Sequence, residues 1–182
     1  MGEIDRITRL LIAGVILAIG NSLAGAAAAQ NYQEEDVKAV LLYNIARYSE
    51  WRALEALELT DPFNTCFLHR NKMAEAMEEL QGRTIHGHAL QVRYMASLPA
   101  VLTNNCQILY LSEEDLAQYD LEQIAGFGIA TAASSERFLD EGGAISILRY
   151  GEKLGFSISR SAMEAAGVTP SSRMLKLARE IR

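Results

Sequence analysis

Hydrophobic positions along this chain fall into three regimes. One unbroken block lies near the N-terminus; segments of helical period then alternate with short apolar runs; two alternating arms joined at a glycine come near the end. The block is "LLIAGVILAIG", Leu10 to Gly20, preceded by Arg6 and Arg9 and followed by the small-residue stretch "NSLAGAAAAQ". A charged start, an apolar centre and a small-residue end are the layout of a secretory signal peptide. The centre is short of the ~20 residues that a membrane-spanning helix needs. Ala27 and Ala29 satisfy the small-residue cleavage rule, which places the cut before Gln30. The expected organisation is a signal peptide over 1–29 and one exported domain over 30–182, with no stable membrane insertion once the leader is removed.

The domain opens on "VKAVLLYNIARYSEW". Val37, Val40, Leu41, Ile45 and Tyr48 fall at helical spacing, so a helix is predicted over about 34–49, with Glu34, Glu35 and Asp36 in its first turn where the helix dipole favours them. "DPFNTCFLHR" predicts a turn and a strand around Cys66 to Leu68. "NKMAEAMEELQG" predicts a helix capped by Asn71 and stopped by Gly82. "HALQVRYM" alternates as a half-buried strand does, whereas "CQILYLS" is continuously apolar and predicts a central strand. Ser112 is placed to cap a further helix running through Leu116 and Leu121 to Gly126, with Asp115 completing a capping box. "GIATAAS" predicts a strand. "FLDEGGAISILRYGEKLGFSIS" predicts a hairpin turning at Gly151, and "SAMEAAG" a short helix. "TPSSRMLKLAREI" predicts the last helix, capped by Thr169 with Pro170 at its first position and Met174, Leu175 and Leu177 facing inward. Strands alternating with helices imply a single-domain α/β sandwich of helices around a mixed β-sheet, closed by a C-terminal hairpin and helix.

Composition narrows the partners. The chain carries 17 Lys+Arg against 23 Asp+Glu, a formal charge of −6. The four charged residues of the leader cancel, so the domain keeps this acidity, which argues against nucleic acid and anionic membrane surfaces as partners. Its two cysteines, Cys66 and Cys106, are expected to form one structural disulfide in an oxidising compartment. A bridge over about 40 residues is worth roughly 4 kcal/mol on the chain-entropy model.

No catalytic constellation stands out. His86 and His88 are spaced as on one strand face, but no third ligand lies near them in sequence, and together with His69 they read as loop histidines, not a metal site. There is no G-x-S-x-G elbow. "GFGIAT" follows a helix instead of a strand, the wrong context for a dinucleotide loop. Asp140 and Glu141 beside Gly142 and Gly143 read as loop charges next to a glycine pair that backbone geometry requires. No enzyme activity, metal or cofactor is expected. Two surfaces are candidates for binding. Tyr43, Tyr48 and Trp51 cannot all face one core stripe: either they seal the end of the sheet, or some of them contact a partner or a second copy of the chain. Ser171, Ser172 and Arg173 at the start of the last helix form a candidate anion pocket.

In order, these landmarks resemble the YfiR family of periplasmic repressors over about Tyr32 to Ala178. The opening helix with its closing Trp51 is similar to the family's first helix. "LQGRTIHGHALQVRYM" is similar to its glycine-spaced segment through Leu80, Gly82, Arg83, Ile85, Gly87, Leu90 and Val92. "FLDEGGAISIL" is similar to its F-x-x-x-G-G stretch through Phe138, Gly142 and Gly143, and "KLGFSIS" and "AAGVTPSSRMLKLA" to its closing strand and helix. Arg52, His69 and Ser159 depart from the Pro, Gly and Asn usual at those places, and the cysteines of a second disulfide found in some relatives are absent. The resemblance implies a periplasmic regulator that binds the periplasmic sensor domain of an inner-membrane diguanylate cyclase, holds it off and lowers cyclic di-GMP, with consequences for biofilm and motility. It also implies that homodimers form in some members and that Cys66–Cys106 is a redox-sensitive element. Two other roles fit an exported binding domain: a small-molecule sensing module feeding a histidine kinase, and an accessory protein of an outer-membrane receptor.

Overall fold

The structure, a computed structural model, describes residues 33–182. The segment read as a signal peptide, with Ala27 and Ala29, lies outside the described residues. Among those described, no helix is long and apolar enough to cross a membrane.

The frame is a seven-stranded sheet. In chain order its strands are β2 (Phe63–Phe67), β3 (Thr84–Ile85), β4 (His88–Tyr94), β5 (Ile108–Leu111), β6 (Ala130–Ala133), β7 (Ile145–Tyr150) and β8 (Lys153–Ile158). In space they run β3-β4-β2-β5-β6-β7-β8. The five middle strands, β4 to β7, are parallel, and β3 and β8 close the two edges antiparallel. A parallel sheet is covered on both faces, and the strands show it: every residue of β2, β5 and β6 is buried.

The period of two along each strand divides the core. Phe63, Phe67, Ile108, Tyr110, Ala130, Ala132, Ile145 and Ile147 point into one apolar cluster. Cys66, Leu109, Leu111 and Ala133 point into the other. The first cluster is covered by α1 (Glu34–Arg47), α2 (Lys72–Glu78), α6 (Arg160–Ala165) and α7 (Ser172–Leu175), the second by α3 (Leu98–Thr103), α4 (Glu113–Leu116) and much of α5 (Leu121–Gly126). The molecule is the expected α/β sandwich, and the described residues form one compact unit.

Several local expectations hold with their chemistry. Asn71 Oδ1 accepts the Ala74 N–H at 2.8 Å to cap α2. Ser112 and Asp115 form the capping box of α4, and Gly151 takes the hairpin turn at φ +64°. Cys66 and Cys106 are joined, with Cα atoms 6.0 Å apart. Gly142 sits at φ +93°, and Gly143 is packed so closely on the Phe138 ring that a Cβ there would overlap it.

Others are corrected. α1 ends at Arg47, and Ser49–Trp51 is a separate strand, β1. The helix expected from Ser112 to Gly126 is two helices, because Asp120 starts a new one by accepting the Glu122 and Gln123 N–H groups at 3.0 and 3.2 Å. Thr169 and Pro170 begin no helix: Val168–Pro170 forms β9, antiparallel to β1. The last helix starts two residues later, at Ser172, capped by Ser171, and lasts four residues. Leu177, expected inside, is 67% exposed.

Candidate functional site

The aromatic residues of the opening segment end up in different places. Trp51 is buried at the foot of the sheet, edge-on to Phe63 with ring centroids 5.0 Å apart. Its indole N–H donates to the Ala46 carbonyl at 2.8 Å, satisfying one of the carbonyls that the end of α1 leaves free. Tyr43 is also buried, and its hydroxyl donates to the Thr84 carbonyl at 3.1 Å, tying α1 to β3. Tyr48 alone of the three faces solvent, 42% exposed, with the Arg47 guanidinium 5.6 Å from its ring centroid.

The apolar stripe that helical spacing marks on α1 explains the difference. The side of the helix that enters the core carries Ala39, Leu42, Tyr43, Ile45 and Ala46. Val37, Val40 and Tyr48 lie on the other side and are exposed. α1 thus has two apolar stripes, and the fold uses one. The outer stripe leads at its C-terminal end into an apolar groove of about 330 Å³, lined by Leu41, Asn44, Ile45, Tyr48, Phe156, Arg173, Met174 and Leu177. Two pairings fix its walls. The β1–β9 ladder sets Ser49 opposite Pro170 and Trp51 opposite Val168, and the Ser171 N–H donates to the Tyr48 carbonyl at 3.1 Å. The C-terminal segment is thereby held beside the end of α1.

Of the proposed anion pocket, the structure keeps one residue near a concave surface. The Ser171 hydroxyl is engaged as a cap, accepting the Met174 N–H at 3.3 Å. Ser172 is exposed, and Arg173 is the one member of the trio that lines the groove. Leu177, which the sequence places inward, is exposed because it lies two places beyond a helix of only four residues.

The histidines are also rearranged. His86 sits at φ +49°, in the turn ahead of β4, and its Nε2 donates to the Ser49 carbonyl at 2.7 Å. His88, expected in a loop, is buried in β4, and its Nδ1 donates to the Asp61 carbonyl at 2.8 Å. One ring nitrogen of each is engaged by a different backbone carbonyl, and His86 lies in the turn while His88 lies in β4, so the two do not share a strand face. His69 instead meets Asp115, Nε2 to Oδ1 at 3.0 Å, where the ends of β2 and β5 lie side by side. No group of three or more His, Cys, Asp or Glu side chains among the described residues is arranged to hold a metal ion. The disulfide lies in the second cluster, with Cys66 fully buried and Cys106 4% exposed.

No curated protein matches the sequence. Among solved structures, a conserved domain protein from Vibrio cholerae O1 biovar El Tor strain N16961 superposes with a TM-score of 0.50 at 11% identity; the match covers 82% of this chain and 60% of that one. That likeness is one of fold alone. An ABC domain from Streptococcus pneumoniae, solved in complex with L-Trp, gives a TM-score of 0.48 at 9% identity over 71% of this chain and 58% of that one. The present chain thus spans less than two thirds of either. A family model described as YfiR/HmsC-like matches residues 35–179, from the first turn of α1 to the segment beyond α7, and the chain belongs to that family.

Proposed function

We propose that this protein is exported to the periplasm, where it binds the periplasmic sensor domain of an inner-membrane diguanylate cyclase and restrains the enzyme. Family membership over residues 35–179 carries this reading. YfiR-like proteins are periplasmic and regulatory, acting in diguanylate cyclase signalling, and they are not a catalytic family. The leader-like segment Leu10–Gly20 supports export. The outer stripe of α1, with Tyr48, the groove and exposed Leu177, supports docking. Aromatic and aliphatic side chains that a fold leaves exposed beside a groove, rimmed by arginine, have the make-up of an interface centre. Arg47 and Arg173 supply that rim. A second copy of the chain is the competing occupant of the same groove.

The test is intracellular cyclic di-GMP in a clean deletion strain. The proposal expects a several-fold rise, reversed by complementation with the full chain and unchanged by a chain lacking residues 1–29. An unaltered level in the deletion strain across growth conditions contradicts it.

A further inference from the structure

A second concave site lies at the opposite end of α1 from Tyr48. The five parallel strands run β4-β2-β5-β6-β7 in space, so the chain steps from β2 outward to β4 and then returns to β5 on the other side of β2. Winding reverses between β2 and β5. The connections leaving these two strands diverge, one to α2 over the first cluster and one to α4 over the second. In open parallel sheets this reversal leaves a crevice outside the carboxyl ends of the strands, and ligands bind there. Here the crevice is a cleft of about 430 Å³, within the size range of small-molecule sites.

Its lining is chemically specific. Lys38 comes from α1, Asn71 from the connection after β2, Lys72 from the first position of α2, Tyr110 from β5, Ser112 from just beyond β5, and Ser134 from just beyond β6. The Lys38 side chain is 12% exposed, a costly place for an ammonium group. Its Nζ donates to Glu34 Oε1 at 2.8 Å. An ammonium has three donors, so this ion pair leaves two for the cleft. Glu34 is itself shared with Arg149 at 2.7 Å, which spreads its charge over two cations. Tyr110 and Ser134 hydrogen-bond each other at 3.0 Å, fixing two hydroxyls on the cleft wall. Glu35 and Glu113 also line the cleft, and their charge disfavours a polyanion. The groups that remain fit one carboxylate held between Lys38, Lys72 and the hydroxyls, with hydrogen-bond donors on the rest of the ligand facing the glutamates.

We propose that the cleft at the β2/β5 reversal binds a small monocarboxylate. The site is separate from the groove beside Tyr48 and stands whether or not the groove holds a cyclase.

The test is a titration of ¹⁵N-labelled protein, purified from the periplasm, with sodium lactate, and in parallel with sodium phosphate and with sodium chloride at matched ionic strength. Lactate is expected to give saturable amide shifts centred on Asn71, Ser112 and Ser134, with a Kd in the low-millimolar range or tighter. Phosphate is expected to bind more weakly, and chloride to give no saturable shift. Lys38→Gln should weaken lactate binding by roughly tenfold, the weight of a charge-assisted hydrogen bond, while its spectrum away from the cleft stays that of the folded wild type. Lys72→Gln, at an exposed position, provides a second variant whose folding is not at risk. Unsaturable lactate shifts, tighter binding of phosphate, or undiminished binding in both lysine variants would overturn the proposal.

Discussion

Trp51 is held by three constraints at once: its ring closes on Phe63, its N–H serves the end of α1, and its backbone pairs with Val168. Tyr43 is held as firmly through Thr84, so of the sequence's aromatic trio only Tyr48 is free to meet something else. Gly143 shows the same economy on the backbone. A methyl group there overlaps the fully buried Phe138 ring, and overpacking of this kind costs about 1–3 kcal/mol. Gly143→Ala should lower the melting temperature by several degrees, read by circular dichroism. The acidic start of α1 has a pH signature. Hydrogen bonds from Lys38 and Arg149 hold the Glu34 carboxyl below its ordinary value of 4.5. A carboxyl lowered in the folded state stabilises fully above its unfolded pKa, and that contribution is lost as pH falls through the folded value. Wild type should therefore melt above Glu34→Gln by a small constant margin at pH above 4.5, and the two curves should converge as pH drops below it. A margin that persists in strong acid would contradict the ion-pair account.

At the scale of elements, sequence reasoning succeeds where the signal is local. β4 alternates, β5 is continuously apolar, the hairpin turns on Gly151, and Asn71 caps α2, each through neighbours a few residues apart. It fails where partners are distant. β1 and β9 are three residues each, too short to show a period, and their pairing joins positions more than a hundred residues apart. Thr169 and Pro170 look like a helix start until that ladder claims them. α3 was legible in principle, since Ser97 followed by Leu98 and Pro99 is an N-terminal signature, yet one buried residue in the helix, Val101, left no periodic stripe to draw attention. α1 misleads for the opposite reason: with two apolar stripes, spacing alone does not say which one the core takes. The disulfide joins β2 to the lead-in of β5 within the second cluster. Its 40-residue separation corresponds to about 4 kcal/mol. Cys66→Ser with Cys106→Ser should lower the melting temperature by roughly 10 °C for a domain of this size. Because both sulfurs are buried, reduction of the wild type should require transient opening, so its rate with added thiol should rise steeply with temperature. An unchanged melting temperature in the double variant would remove the bridge from any regulatory role.

For the molecule as a whole, the order β3-β4-β2-β5-β6-β7-β8 was not readable from sequence, because it depends on which strands pair across connections that sequence patterns leave unassigned. That order positions both candidate sites. The reversal between β2 and β5 opens the cleft at the start of α1, and the β1–β9 ladder builds the groove at its end, so one helix about 20 Å long carries both. We propose that the outer face of this helix is the surface through which a cyclase is restrained. It is tested most directly by measuring cyclic di-GMP in the deletion strain complemented with a full chain bearing Tyr48→Glu and Leu177→Glu. Both positions are exposed, so the variant should accumulate to wild-type levels and keep its melting temperature. Cyclic di-GMP is expected to stay at the raised level of the deletion strain. A return to the wild-type level would show that the groove is not the contact through which this protein acts.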